Sequence, residues 1–133
     1  MATFVVLFVL MFFFSHAMGC ELILRHEASS SYLIAGDTGT STMTITALHV
    51  DPHVRGKGVA TTLLAVCAAH CVAHAVDTIE LDDMSDRFGM ARNVYTRAGF
   101  VYRTAGYPEM YASPETVVAC TRPFVASHVV LNL

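Results

Sequence analysis

Thr42-Met43-Thr44-Ile45-Thr46-Ala47-Leu48-His49-Val50-Asp51-Pro52-His53-Val54-Arg55-Gly56-Lys57-Gly58-Val59-Ala60 is the stretch on which the reading of the fold turns. Up to Val50, Met43, Ile45 and Ala47 alternate with threonines, the period of a half-buried strand. Asp51-Pro52 breaks that strand, because proline has no N–H for the ladder. From Gly58 onward the period changes. Val59, Leu63, Val66, Cys67, His70, Cys71 and His74 recur at steps of three and four, as one face of a helix does. Between strand and helix lies a loop with glycines at 56 and 58 and cations at Arg55 and Lys57. Glycine lets the backbone turn tightly and approach a ligand closely. A helix N-terminus presents unpaired N–H groups to an anion. Strand, basic glycine loop and helix N-terminus together make a cradle for a pyrophosphate.

Outward from this unit, Glu21–Glu27 and Ser31–Ala35 read as a hairpin of short strands, with turn residues at Ser29-Ser30-Ser31 and Gly36-Asp37-Thr38-Gly39. Thr78–Leu81 reads as a strand. Ser85 is expected to cap a helix running to about Arg97, with Asp86 in its first turn. Gly99 ends it, Phe100–Arg103 begins another strand, and Val117–Phe124 is expected to be the last. Strand, helix, strand, helix, strand, strand is the order of a β-α-β unit with an antiparallel extension. The fold class expected is α+β, or mixed α/β.

The loop does not suit two common phosphate motifs. Lys57 is followed by Gly58 where a Walker A loop needs Ser or Thr, and Asp51 occupies its first glycine position. A G-x-G-x-x-G fingerprint fails at Thr61. What fits is [QR]-x-x-G-x-[GA], as Arg55, Gly58 and Ala60, preceded by Val50-x-Pro52. Further on, Ala91, Val94, Tyr95, Gly99 and Phe100 match A-x-x-[apolar]-Y-x-x-x-G-F. This ordered pair resembles the acetyl-CoA-binding half of the GNAT N-acetyltransferase superfamily, firmly from about Thr42 to Tyr111.

The resemblance implies a GNAT-like fold, with a central mixed sheet and a β-α-β acetyl-CoA-binding core. It implies that the chain is an acetyl-CoA-dependent acyltransferase acting on a primary amine of a small molecule or peptide. Backbone groups of Leu48 and Val50 would grip the pantetheine and acetyl carbonyl. N–H groups of Val54, Arg55, Gly56, Lys57, Gly58, Val59 and Ala60 would hold the pyrophosphate. Tyr95 aligns with the family's general acid, and a phenol stays protonated at neutral pH. Packing of helix against sheet is the other reading of that tyrosine. The general base is left open among His49, Glu80, Asp82 and Asp83; the last two could equally cap the following helix. Two departures stand out. Phe88 occupies the position, seven residues before the tyrosine, where the family often has asparagine. There is also no room between Glu27 and Ser31 for the helices that usually separate the family's first two strands. A catalytically silent CoA-binding module therefore stays beside the enzyme as an alternative.

The chain has 133 residues, room for one domain with a real core. Its net charge of −3 gives no footprint for nucleic acid. It is 54% hydrophobic and 14% charged, and residues 1–19 hold no Lys, Arg, Asp or Glu. The apolar run Phe4–Phe14 and the small residues Ala17 and Gly19 suggest a signal peptide cut before Cys20, or a hydrophobic anchor; a buried β-strand is the alternative. Domain boundaries of 1–19 and 20–133 follow from the first reading, which puts the chain in the secretory pathway or at a membrane, with the cytoplasm as alternative. A homodimer is a further expectation. Cys20, Cys67, Cys71 and Cys120 would allow two disulfides in a secreted chain. Cys67, His70, Cys71 and His74 share a helical face, but four ligands along one helix cannot close tetrahedrally around zinc. Core packing is the expectation for them, with no metal.

Overall fold

The computed structural model describes residues 5–8, 21–37, 41–85 and 93–130. Eleven elements carry the argument: β1 (Val5–Phe8), β2 (Glu21–His26), β3 (Tyr32–Asp37), β4 (Thr42–His49), α1 (Val59–Ala73), β5 (Thr78–Asp82), α2 (Val94–Arg97), β6 (Val101–Tyr102), β7 (Glu109–Ala112), α3 (Pro114–His128) and β8 (Val129–Val130). The strands form one mixed sheet in the order β6-β7-β5-β4-β3-β2-β1-β8. This is the α+β, mixed-sheet architecture expected from the sequence. β2, β3 and β4 pair antiparallel in a meander, β4 and β5 pair parallel across α1, and β7 pairs antiparallel with both β5 and β6.

The period of two decides which residues enter the core. Leu22 and Leu24 lie opposite Ala35 and Leu33, Ala35 lies opposite Ile45, and Met43 and Ile45 lie beside Ile79 and Leu81. Ile79 and Leu81 in turn face Ala112 and Met110. All are buried, forming one continuous apolar face under α1. The opposite face carries Thr44, Glu80 and Tyr111. Arg103 closes over it, 2.9 Å from Glu80, 3.1 Å from Glu109 and 4.4 Å from the Tyr111 ring centroid. Exposed pairs of this kind contribute little to stability.

α1 is buried more widely than a single stripe. Thr62, Leu63, Leu64 and Ala65 are buried in succession, and Cys67, Ala68 and Cys71 are buried beyond them. The reason is α3, which packs along α1 on the side that the sheet leaves open. Of the residues expected on one apolar face, Val66 and His70 are therefore half-buried and His74 is exposed. Cys67 and Cys71 pack in the core as free thiols; the hydrogen bond that Cys67 donates to Cys71, and then burial, push the Cys67 thiol up. His74 stacks on His70 at 4.1 Å and bonds its carbonyl at 2.8 Å.

Three expectations need correcting. Val117–Phe124 is helical, not a strand. Ser113 accepts the Thr116 N–H at 3.2 Å, Pro114 opens the helix and Glu115 sits in its first turn, a complete start signal. The missing strand is β7, Glu109–Ala112. Second, the helix expected from Ser85 does not reach Arg97 unbroken: Asn93 is extended (φ −79°, ψ 171°) and caps α2 at Val94. Residues 86–92, with Phe88 and Ala91, lie outside the described residues. Third, the first two strands of the sheet are β1 and β2, so the connection to compare with the family's helices is residues 9–20, not Glu27–Ser31. Val5–Phe8 pairs with β2. The rest of the apolar run, the expected cleavage site and Cys20 lie outside the described residues. Among those described, no helix is long and apolar enough to cross a membrane.

Candidate active site

Two parallel strands that part company create a slot between them, and this is where the site begins. β4 and β5 are paired only as far as Ile45 and Leu81. Just beyond, the register of β4 against β3 slips: Ala35 faces Ile45, but Ile34 faces Ala47, so Thr46 is an extra residue in β4. Such a bulge bends its strand. The Thr46 hydroxyl donates to the Ile34 carbonyl at 3.3 Å and holds it in place. Thr46–His49 remain paired to β3 alone. Alternate residues of that stretch turn N–H and C=O toward the slot, as strand geometry requires. The slot is a cleft of about 340 Å³, lined by Thr46, Ala47, Leu48 and His49 on one side, Leu81, Asp82 and Ser85 on the other, and Tyr32 and Tyr95.

β4 leads from the cleft into the loop before α1. Asp51 accepts the His53 N–H at 3.0 Å and starts a single turn of 3₁₀-helix over Pro52–Val54. Gly56 and Gly58 follow in the left-handed conformation, at φ +76° and +79°. The first bond inside α1 runs from the Thr62 N–H to the Gly58 carbonyl at 3.0 Å. The N–H groups of Gly56, Gly58, Val59, Ala60 and Thr61 make no hydrogen bond to a described residue. They are unspent donors at a helix N-terminus, beside the exposed side chains of Arg55 and Lys57. The set differs from the sequence expectation at both ends. Val54, Arg55 and Lys57 spend their N–H groups on Asp51, Pro52 and Val54 carbonyls. Thr61 joins the donors, and no sequence motif pointed to it.

Tyr95 is half-buried and packs edge-on against Phe100, with ring centroids 6.4 Å apart. Burial, reinforced by the Asp83 charge, pushes its phenol above the usual range. Its hydroxyl makes no hydrogen bond to a described residue, and Tyr95 is one of the residues that line the cleft. Both ends of its short helix are fixed. Asn93 accepts the Thr96 N–H at 2.9 Å. At the far end Gly99 (φ +99°) donates to Thr96 and Phe100 donates to Tyr95, the paired bonds of a Schellman motif.

The four candidate bases separate clearly. Glu80 is ion-paired to Arg103 on the outer face. Asp83 is buried, and its carboxylate accepts from the Ser85 N–H and hydroxyl, Asn93 Nδ2 and the Tyr102 hydroxyl, which hold it in place. Burial alone would raise its pKa, but the hydrogen bonds from Ser85, Tyr102 and Asn93 outweigh this and lower it. His49 and Asp82 are exposed and border the cleft from opposite strands. His49 lies across from Tyr32, whose ring centroid is 5.5 Å away. Of the backbone groups expected to grip the donor, Leu48 lines the cleft and Val50 lies just past it, half-buried against the core. Tyr32 was not anticipated, since it lies far earlier in the chain and only the β3–β4 register brings it here.

The model described as "Acetyltransferase (GNAT) family" matches residues 18–100. A GNAT-family acetyltransferase of Staphylococcus aureus Mu50 is similar in structure at a TM-score of 0.58 and 17% identity, over 72% of this chain and 68% of that one. The PaiA N-acetyltransferase of Thermoplasma acidophilum, solved in complex with coenzyme A, gives 0.59 and 18%, over 70% and 60%. The ribosomal-protein-S18-alanine N-acetyltransferase of Escherichia coli gives 0.51 and 19%, over 68% and 64%. A comparison of the sequence with curated proteins finds no match.

Proposed function

Because this chain belongs to the acetyltransferase (GNAT) family, we propose that it transfers the acetyl group of acetyl-CoA to a primary amine of a small molecule or peptide. One observation carries this reading: a cleft between parted parallel strands leads directly into a row of unspent N–H donors at the start of α1. The donors and the charges of Arg55 and Lys57 suit a pyrophosphate. The cleft suits an extended pantetheine arm, whose amides can pair with the strand edge that β5 leaves open.

In the reaction the amine nitrogen attacks the thioester carbonyl carbon and the carbon–sulfur bond breaks. Backbone N–H groups on β4 that face the cleft would stabilise the oxyanion that forms between these steps. Tyr95, kept protonated by burial and by Asp83, donates its proton to the leaving sulfur and regains one from solvent. His49 and Asp82, on opposite lips of the cleft, are placed to take the proton that the attacking amine loses. His49 ends β4, the strand that would hold the donor, and is the better placed of the two. Glu80 and Asp83 are excluded by the partners they already hold.

A silent CoA-binding module is the second reading, favoured by the brevity of the connection between β1 and β2, residues 9–20. Release of CoA from acetyl-CoA, measured with lysine, spermidine and an alanine-initiated peptide as acceptors, separates the two. Turnover that falls about 100-fold in Tyr95→Phe, the scale of general acid catalysis, with acetyl-CoA affinity unchanged, supports the enzyme. Donor binding without turnover of any of the three amines supports the silent module.

A further inference from the structure

Burying a carboxylate is costly unless hydrogen bonds replace its water, so a fully engaged buried aspartate beside a cleft asks for a reason. Asp83 is 2% exposed. One oxygen accepts the Ser85 N–H at 3.0 Å and the Ser85 hydroxyl. The other accepts from Asn93 Nδ2 at 2.8 Å and from the Tyr102 hydroxyl at 2.6 Å. The Asp83 N–H is itself anchored on the Pro108 carbonyl at 2.8 Å. The carboxylate therefore ties together the end of β5, the start of α2 and β6.

Asn93 is the hinge pin of this arrangement. It is also 2% exposed, and its one amide works in two directions. Nδ2 reaches Asp83 and, at 3.2 Å, the Tyr102 hydroxyl that Asp83 itself holds, while Oδ1 accepts the Thr96 N–H at 2.9 Å and starts the helix. Tyr95 is the second residue of that helix, which has only four. Helices so short do not hold themselves. The direction in which Tyr95 points is set by what pins Asn93.

We infer that Asp83 is a positioning residue for Tyr95, holding it through Asn93 at the cleft. The inference rests on the reading of Tyr95 as the acid. Asp83 is within reach to act on Tyr95 electrostatically as well, favouring the protonated phenol in the same sense as burial. The Schellman turn at Gly99 fixes the other end, so the ring is located from both sides.

The probe is CoA itself, whose thiol becomes more acidic when a hydroxyl donates to its thiolate. The pKa of the bound thiol, read from thiolate absorbance as a difference spectrum with and without CoA, reports whether Tyr95 is in place. It needs no knowledge of the acceptor. Six chains are compared: the parent, the double variants Asp83→Asn/Tyr95→Phe and Asn93→Ser/Tyr95→Phe, and the single variants Tyr95→Phe, Asp83→Asn and Asn93→Ser. The last keeps a side-chain oxygen to cap the helix but is too short to bridge to Asp83, and serves if Asp83→Asn does not fold. We expect each single variant to raise the bound thiol's pKa by about one unit, a tenfold loss of thiolate stabilisation, with affinity for acetyl-CoA unchanged. Combined with Tyr95→Phe, neither Asp83→Asn nor Asn93→Ser shifts it further, since both act through the same ring. If Tyr95→Phe raises the pKa but the other two leave it at the parent value, the positioning role is overturned and the acid stands. The role is overturned equally if either adds its own shift to that of Tyr95→Phe. If Tyr95→Phe itself changes nothing, the reading of Tyr95 as acid fails first.

Discussion

Replacing each of the two loop glycines by alanine separates two reasons for having glycine there. Gly56 and Gly58 have almost the same left-handed φ, +76° and +79°, which costs an L-residue about 1–2 kcal/mol. Their surroundings differ. A Cβ on Gly56 would meet nothing within 4 Å, whereas one on Gly58 would stand 1.8 Å from the tip of the Phe124 ring and 2.6 Å from both flanking carbons. That ring must move, and forcing extra carbon into a packed site costs about 1–3 kcal/mol more. Gly56→Ala should therefore destabilise by about 1–2 kcal/mol and Gly58→Ala by about 2–5 kcal/mol, summing those two contributions. Urea unfolding with unchanged slope gives both values. Residues in contact are not additive, so in a Phe124→Ala background the cost of Gly58→Ala should drop to that of Gly56→Ala. Equal costs for the two alanines in the parent, or an undiminished cost in the Phe124→Ala background, would refute the packing of α3 on the loop.

Ser113→Ala should cost about 1 kcal/mol, because it removes the cap on Thr116; thermal unfolding would show it, and no loss would argue against a helix starting there. His26 is 4% exposed, with Nδ1 2.7 Å from the Ser29 hydroxyl and Nε2 buried without a partner among the described residues. Burial, opposed by Glu27, lowers its pKa below 6.5. The unfolded chain therefore binds the proton more readily, and the contribution to stability is present above pH 6.5 and lost as pH falls through the folded value. His70 is lowered in the same sense, by burial and by His74. Melting temperature should fall on acidification through this window, and His26→Gln should make the fall shallower; an unchanged profile would show that His26 does not carry it.

The meander, the β4-α1-β5 unit and the loop were legible because each rests on local chemistry: alternation in Thr42–His49, a proline break, glycines at 56 and 58. The Gly99-Phe100 ending of α2 was legible for the same reason. Val117-Val118 and Thr121 are β-branched and read as a strand, whereas α3 is set by its start at Ser113-Pro114-Glu115, which lies outside that run. β7 gives little signal because only four residues, Glu109–Ala112, carry its alternation. α1 showed which residues were apolar but not that α3 would cover a second side of it. The site divides in the same way. The donors of the loop follow from spacing, but the bulge at Thr46, the approach of Tyr32 and the clasp of Asp83 on Asn93 depend on strand register and on contacts distant in sequence. Asn93 alone carried a local sign, an N-cap residue just ahead of Val94-Tyr95.

Acetyl-CoA binding by the whole chain tests the central claim most directly. Calorimetry should give saturable binding at one site per chain, weakened at least tenfold in Arg55→Ala/Lys57→Ala, about 1.4 kcal/mol, and falling with added salt as the exposed loop charges are screened. A folded chain that takes up no acetyl-CoA, or binds it equally well without Arg55 and Lys57 and in high salt, would contradict the account.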